Sequence, residues 1–190
     1  MNIFDYNRIM VIGNNGSGKS YLSKQLAAIT GLPLVHLDAE YWLPNLTRPP
    51  DDWWRQKNIE LISQEKWILD GNFPQGGQKG HRGRGGAMEL RWAASDLVIF
   101  LDVNRFICLA GVIKRNNNGR PDGPPNFRET FDRRFLQMCK AIWDFSRKRK
   151  AGYLASRETN PDTPFFAIKG RREMHRLLRE WKTQKETMEC

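Results

Sequence analysis

The segment Gly13-Asn14-Asn15-Gly16-Ser17-Gly18-Lys19-Ser20 constrains this chain more than any other feature. It follows the pattern glycine, four residues, Gly-Lys-Ser/Thr. An apolar run ending in glycine, Arg8–Gly13, precedes it and reads as a buried parallel strand. After it, Leu22, Leu26 and Ile29 recur at helical spacing from about Gly18 to Ile29. Glycines let the backbone adopt positive φ and approach an anion closely. Successive N–H groups and the positive end of the helix then face one point. Lys19 would set a compact charge against the β- and γ-phosphates of ATP, and Ser20 would give a hydroxyl to Mg²⁺. Gly13 through Ser20, with the adjoining Tyr21, are therefore expected to bind the nucleotide. A chance glycine-rich turn would lack the flanking strand and helix.

The rest of the chain alternates in the same way. Leu34–Asp38, Trp67–Asp70 and Phe165–Ile168 read as further strands, and Ser95–Asp102 holds another. Helices are expected from Asp51, as N-cap, to about Glu65, near Ala87–Ala94, near Phe106–Lys114, from about Arg128 to Ala151 and from about Arg172 to Lys185. Gly31 and Pro33 end the first helix. This alternation predicts an α/β protein with a parallel sheet covered on both sides, and 190 residues fit one domain, 1–190. Residues 39–50, 73–86 and 116–126 read as long loops, the kind that often form lids or binding segments.

A phosphate loop of this type needs an acidic residue on a neighbouring strand, and Asp70 and Asp102 both end apolar runs. The chain lacks Asn-Lys-x-Asp and the Asp-Glu pair of many motor and transporter ATPases, which leaves small-molecule kinases. The net charge of +10 has two readings. It suits phosphate contacts to a nucleic acid, or arginines gathered around a triphosphate and an anionic substrate. The first is possible but not favoured. Cys108, Cys139 and Cys190 are scattered and lack metal-ligand spacing, so they read as reduced thiols of a cytoplasmic protein. No run approaches a membrane span and the N-terminus lacks the features of a secretory signal. Nothing in the sequence specifies an oligomeric state.

Asp70-Gly71-Asn72-Phe73-Pro74 resembles the Asp-Gly-Phe-Pro element of adenylate kinase-like kinases, and Arg115-Asn116-Asn117-Asn118-Gly119-Arg120 resembles the entrance to their lid. A closer match is to the subgroup labelled DNA topology modulation proteins. It rests on the phosphate loop, His36-Leu37-Asp38, Tyr41-Trp42, Asp70-Gly71-Asn72, Arg91, Phe100-Leu101-Asp102 and Gly119-Arg120-Pro121-Asp122, in order. The resemblance implies a three-layer α/β/α P-loop NTPase fold with a five-stranded parallel sheet in the order 2-3-1-4-5. It also implies a short lid at 115–127 and an acceptor-binding segment at 39–66.

By that resemblance Asp70, beside the phosphate-loop strand, is the Mg²⁺-site carboxylate. Arg115 and Arg120, with Arg133 and Arg134 returning from the lid, would neutralise the transferring phosphoryl group. Asp38 would orient a small-molecule acceptor and take its hydroxyl proton, or else cap a helix or loop. Tyr41, Trp42, Asn72 and Arg91 would line the acceptor site, whereas Trp53 and Trp54 suit a core. Gly170 and Arg171 or Arg172 would lie against the adenine. The Thr-Gly of the adenylate kinase AMP site and the Gly-Gly-Gly of shikimate kinases are absent. The basic Gly-rich insert Gln75–Gly86 is either a phosphate-gripping loop or a solvated linker.

Overall fold

In a computed structural model the chain is described over residues 1–43, 47–73, 87–115 and 131–189. The central strand is β1, Arg8–Gly13, buried from Ile9 onward. Ile9 and Val11 point into one apolar cluster and Met10 and Ile12 into another. This two-residue period is what a strand covered on both faces requires. Its neighbours are β2 (Leu34–His36), β3 (Trp67–Asp70), β4 (Leu97–Leu101) and β5 (Phe165–Ile168), all parallel in the order β2-β3-β1-β4-β5. The expected fold and strand order are therefore observed.

The first cluster is closed by α1 (Lys19–Thr30), α5 (Arg105–Arg115) and α8 (Arg171–Glu189), through Leu22, Leu26, Cys108, Val112, Leu178 and Trp181. The second is closed by α2 (Leu37–Tyr41), α3 (Asp51–Ile62) and α4 (Met88–Ala94), through Tyr41, Trp54 and Trp92. Helix α6 (Arg133–Lys148) feeds both, with Ile142 in the first and Phe145 in the second, and α7 (Lys150–Thr159) adds Tyr153 to the second. Trp54, Trp67, Trp92 and Trp181 are all essentially inaccessible. Burial on that scale stabilises by roughly 1.5–3 kcal/mol per large side chain, and among the described residues Cys108 and Cys139 are free thiols.

Several boundaries differ from expectation. The second strand stops at His36 because Leu37 and Tyr41, four apart, both reach the core only if the chain coils into α2. Asp38 therefore stands in the first turn of a short helix, not at a strand end, and 39–41 is not loop. Helix α3 begins at Asp51 with Pro50 as N-cap, so Asp51 is a first-turn acid that complements the helix dipole. Its last residue is Ile62, three before the expected end. The helix expected over 128–151 begins at Arg133, where the Asp132 carboxylate accepts the Phe135 N–H at 2.9 Å. It breaks at Arg149, after which α7 continues.

Candidate functional site

The phosphate loop leaves β1 at Gly13 and enters α1 at Lys19. Two glycines are sterically obligatory there. A Cβ on Gly16, at φ +74°, would lie 2.2 Å from the Cys108 carbonyl oxygen; on Gly13 it would lie 2.8 Å from that of Leu101. The loop is thus pressed against the backbones of α5 and β4. Inside it the Ser17 N–H donates to the Asn14 carbonyl at 3.2 Å, and the Lys19 ammonium reaches the same oxygen at 3.0 Å. Asn14, itself buried, donates its side-chain N–H to the Ile142 carbonyl and accepts from the Asn15 N–H. Helix α1 has Gly18 as N-cap and no side-chain cap, so its first-turn amides open at the mouth of the loop, where an anion would take the cap's place.

Asp70 stands opposite Val11 of β1 and His36 of β2 in the parallel register. It is 4% exposed. One carboxylate oxygen lies 2.8 Å from His36 Nδ1; the other is buried without a hydrogen-bond partner. Such an orphan is costly unless something else satisfies it. A divalent cation or its bound water suits an anionic oxygen on the strand next to the phosphate-loop strand. The other candidate, Asp102, is half-exposed and paired with the Lys150 ammonium at 2.6 Å. The geometry therefore distinguishes the two carboxylates. His36 was not among the expected site residues; its register opposite Asp70 is what brings it to this carboxylate.

The remaining expected residues fall into distinct places. Asn72 is turned onto the phosphate loop: its Oδ1 accepts the Gly13 N–H at 3.0 Å and its Nδ2 donates to the Gly13 carbonyl at 2.7 Å. Arg91 has no exposed surface. Its guanidinium donates to Asn58 Oδ1 at 2.6 Å and to the carbonyls of Asn72 and Phe73 at 2.6 and 3.2 Å. Burial pushes it down to about 10, so it is still charged at neutral pH. Arg91 thus faces the protein's own backbone, where the sequence had suggested an acceptor. Tyr41 is buried, its ring against Trp42, Trp54 and Phe73, and burial raises its phenol above the usual range. Trp42 and Phe73 of this aromatic group keep partial exposure; Asp38 is half-buried nearby in sequence.

On the opposite side of the loop, Arg171 donates to the Gly16 carbonyl at 3.2 Å and lies 3.5 Å from that of Ile107, tying α8 to the loop and α5. The space beside Gly170, at φ +112°, is open. Tyr21 is exposed, edge-on to His175. Arg115 closes α5, and Arg133 and Arg134 are exposed in the first turn of α6. Arg120, the lid residues 116–127 and the insert 75–86 lie outside the described residues. A cavity of about 320 Å³ between α5 and α6, lined by Arg105, Trp143, Asp144, Ser146 and Arg147, shares no residue with the phosphate loop. Among the described residues no helix is long and apolar enough to cross a membrane.

Solved structures with a similar fold include a gluconokinase from Sinorhizobium meliloti 1021, with TM-score 0.52, 16% identity, and 96% of this chain and 93% of that one aligned. Shikimate kinase from Bacteroides thetaiotaomicron aligns with TM-score 0.55 and 14% identity over 95% and 99% of the two chains. Shikimate kinase from Acinetobacter baumannii, solved with shikimate, aligns with TM-score 0.55 and 15% identity over 92% and 89%. At such identities the likeness establishes the P-loop fold. No protein-family model matches the chain, and no curated protein does.

Proposed function

We propose that the protein is an ATP-dependent phosphotransferase acting on a small metabolite or nucleotide. The observation that carries this reading is a glycine-walled loop bearing Lys19 and Ser20 next to a buried carboxylate with one oxygen unpartnered. Ser20 and Asp70 would hold Mg²⁺, which when bound supplies positive charge to the β- and γ-phosphates. Lys19 and the loop amides bind and orient the triphosphate; Arg115, with Arg133 and Arg134, is proposed to offset charge on the transferring group. In the transfer the acceptor oxygen forms a bond to the γ-phosphorus while the bond to the β–γ bridging oxygen breaks, and ADP leaves. Asp38 is the proposed acceptor of the hydroxyl proton. Trp42 and Phe73 offer ring faces to the acceptor. Gly170 and Arg171 are proposed to border the adenine.

Finer assignment follows the same evidence. The ordered elements from His36 to Asp102 support membership of the topology modulation subgroup, a label that carries no acceptor with it. The neighbours' names point to small hydroxylated acids, but the absent Gly-Gly-Gly element speaks against shikimate itself. The test is a coupled ADP-release screen across nucleosides, nucleoside monophosphates, sugars and hydroxy acids, with Lys19→Ala as control. One compound raising ADP release many-fold in the wild type alone supports the proposal. A flat panel, together with duplex DNA binding that weakens steeply with salt, would instead favour a nucleic-acid-associated protein with a regulatory nucleotide.

A further inference from the structure

The geometry points to Asn58, Arg91 and Asn72 as positioning residues that transmit the placement of helix α3 to the first residue of the phosphate loop. The inference rests on the nucleotide-binding reading of that loop. It begins with a turn. After Asp70 the chain leaves the sheet through Gly71, at φ +142°, where a Cβ would meet that of Leu37 at 2.9 Å, and through Phe73, at φ +31°. Positive φ is a strained setting for a bulky aromatic residue and persists only where its surroundings over-determine it.

Arg91 supplies that determination. It is a fully buried cation whose described hydrogen bonds all go to neutral oxygens: the carbonyls of Asn72 and Phe73, and Asn58 Oδ1. Burying an ion among neutral groups is expensive, so each of those oxygens matters to it. Asn58 is in turn buried on α3, where its side-chain N–H donates to the Trp54 carbonyl at 2.7 Å. The guanidinium therefore ties a side chain of α3 to both carbonyls of the turn. With the Asn72 backbone so held, its carboxamide meets Gly13 with a donor and an acceptor at once. Asn72 continues, through a side chain, the hydrogen bonding that β3 abandons when it turns away. Helix α3 belongs to the proposed acceptor segment, so a shift of α3 alters the support under the loop that holds ATP.

Arg91 itself is a poor probe, since removing it strands the buried Asn58 Oδ1 and two part-buried carbonyls. Asn72→Ala, Asn58→Leu and Asn58→Asp are better. Asn58→Asp keeps the oxygen that Arg91 uses and loses the donor to Trp54. Two readouts apply: hydrogen exchange of the peptide spanning the phosphate loop, measured without nucleotide, and calorimetric affinity for Mg·ATP. Losing two hydrogen bonds to Gly13 in Asn72→Ala should speed loop exchange and weaken ATP affinity by about ten-fold. Asn58→Leu should shift both in the same direction by several-fold, and Asn58→Asp should return both to within about two-fold of the wild type. The relay is overturned if Asn58→Leu lowers thermal stability yet leaves loop exchange at the wild-type rate. Equal acceleration of β4 and β5 peptides overturns it too. If the wild type binds no ATP, the nucleotide reading fails, and exchange still decides the relay.

Discussion

Gly16 and Gly31 hold nearly the same φ, +74° and +75°, in very different surroundings. Replacing each by alanine therefore separates torsional from steric cost. At Gly31, the C-cap of α1, nothing lies within 4 Å of an added Cβ. The left-handed penalty alone, about 1 kcal/mol, should lower Tm by about 3 °C and leave nucleotide binding intact. At Gly16 the Cβ would sit 2.2 Å from the Cys108 carbonyl oxygen and 3.0 Å from Val112 Cγ1, and both residues are fully buried. Ordinary contact requires the loop or α5 to move by about 1 Å. Overpacking adds roughly 1–3 kcal/mol to the torsional term. A displacement of that size in a positioning element costs on the order of 10²-fold in function. Gly111→Ala pushes from the other side, its Cβ meeting the Gly16 carbonyl oxygen at 2.7 Å, and should act alike. Urea unfolding and Mg·ATP calorimetry on the three variants provide the assay. If Gly16→Ala binds within about three-fold of the wild type, or Gly31→Ala weakens binding as much, the claim that α5 shapes the loop is wrong.

Three further outcomes follow. His36→Ala removes the partner of one Asp70 oxygen, so the Mg²⁺ concentration for half-maximal activity should rise about 10–100-fold while Mg-free ATP affinity holds; an unchanged Mg²⁺ requirement counts against the His36 role. Asp70→Asn should abolish the Mg²⁺-dependent part of ATP binding, whereas Asp102→Asn, which only breaks the pair with Lys150, should leave it; equal effects would reassign the metal site. Burial pushes the Cys108 thiol up to about 11, above the ordinary cysteine range, and raises the more accessible Cys139 thiol as well, so below pH 10 Cys108 stays protonated and iodoacetamide should label Cys139 before Cys108, with mass spectrometry reading the order.

Local patterns explain what could be read in advance. The phosphate loop is contiguous, and its flanking strand and helix are marked by residues within one or two turns of it. Strand identities followed from apolar runs, and their order from family resemblance. Pairings across long separations were beyond such reading. His36 meets Asp70, and Asn72 meets Gly13, only because parallel register aligns β2, β3 and β1. Arg91 reads in the sequence as an acceptor-site arginine, although Met88 and Trp92 beside it already mark the buried face of α4. Asn58 likewise interrupts the buried stripe of Trp54 and Leu61 on α3, which is the sign of a polar group with an internal task. The break at Arg149 carries no glycine or proline to announce it.

Calorimetric titration of the protein with ATP in the presence of magnesium tests the central claim most directly. Saturable one-to-one binding, lost or weakened by at least about ten-fold in a folded Lys19→Ala variant, is the predicted result. No heat of binding in the wild type, or equal affinity in the variant, would contradict it.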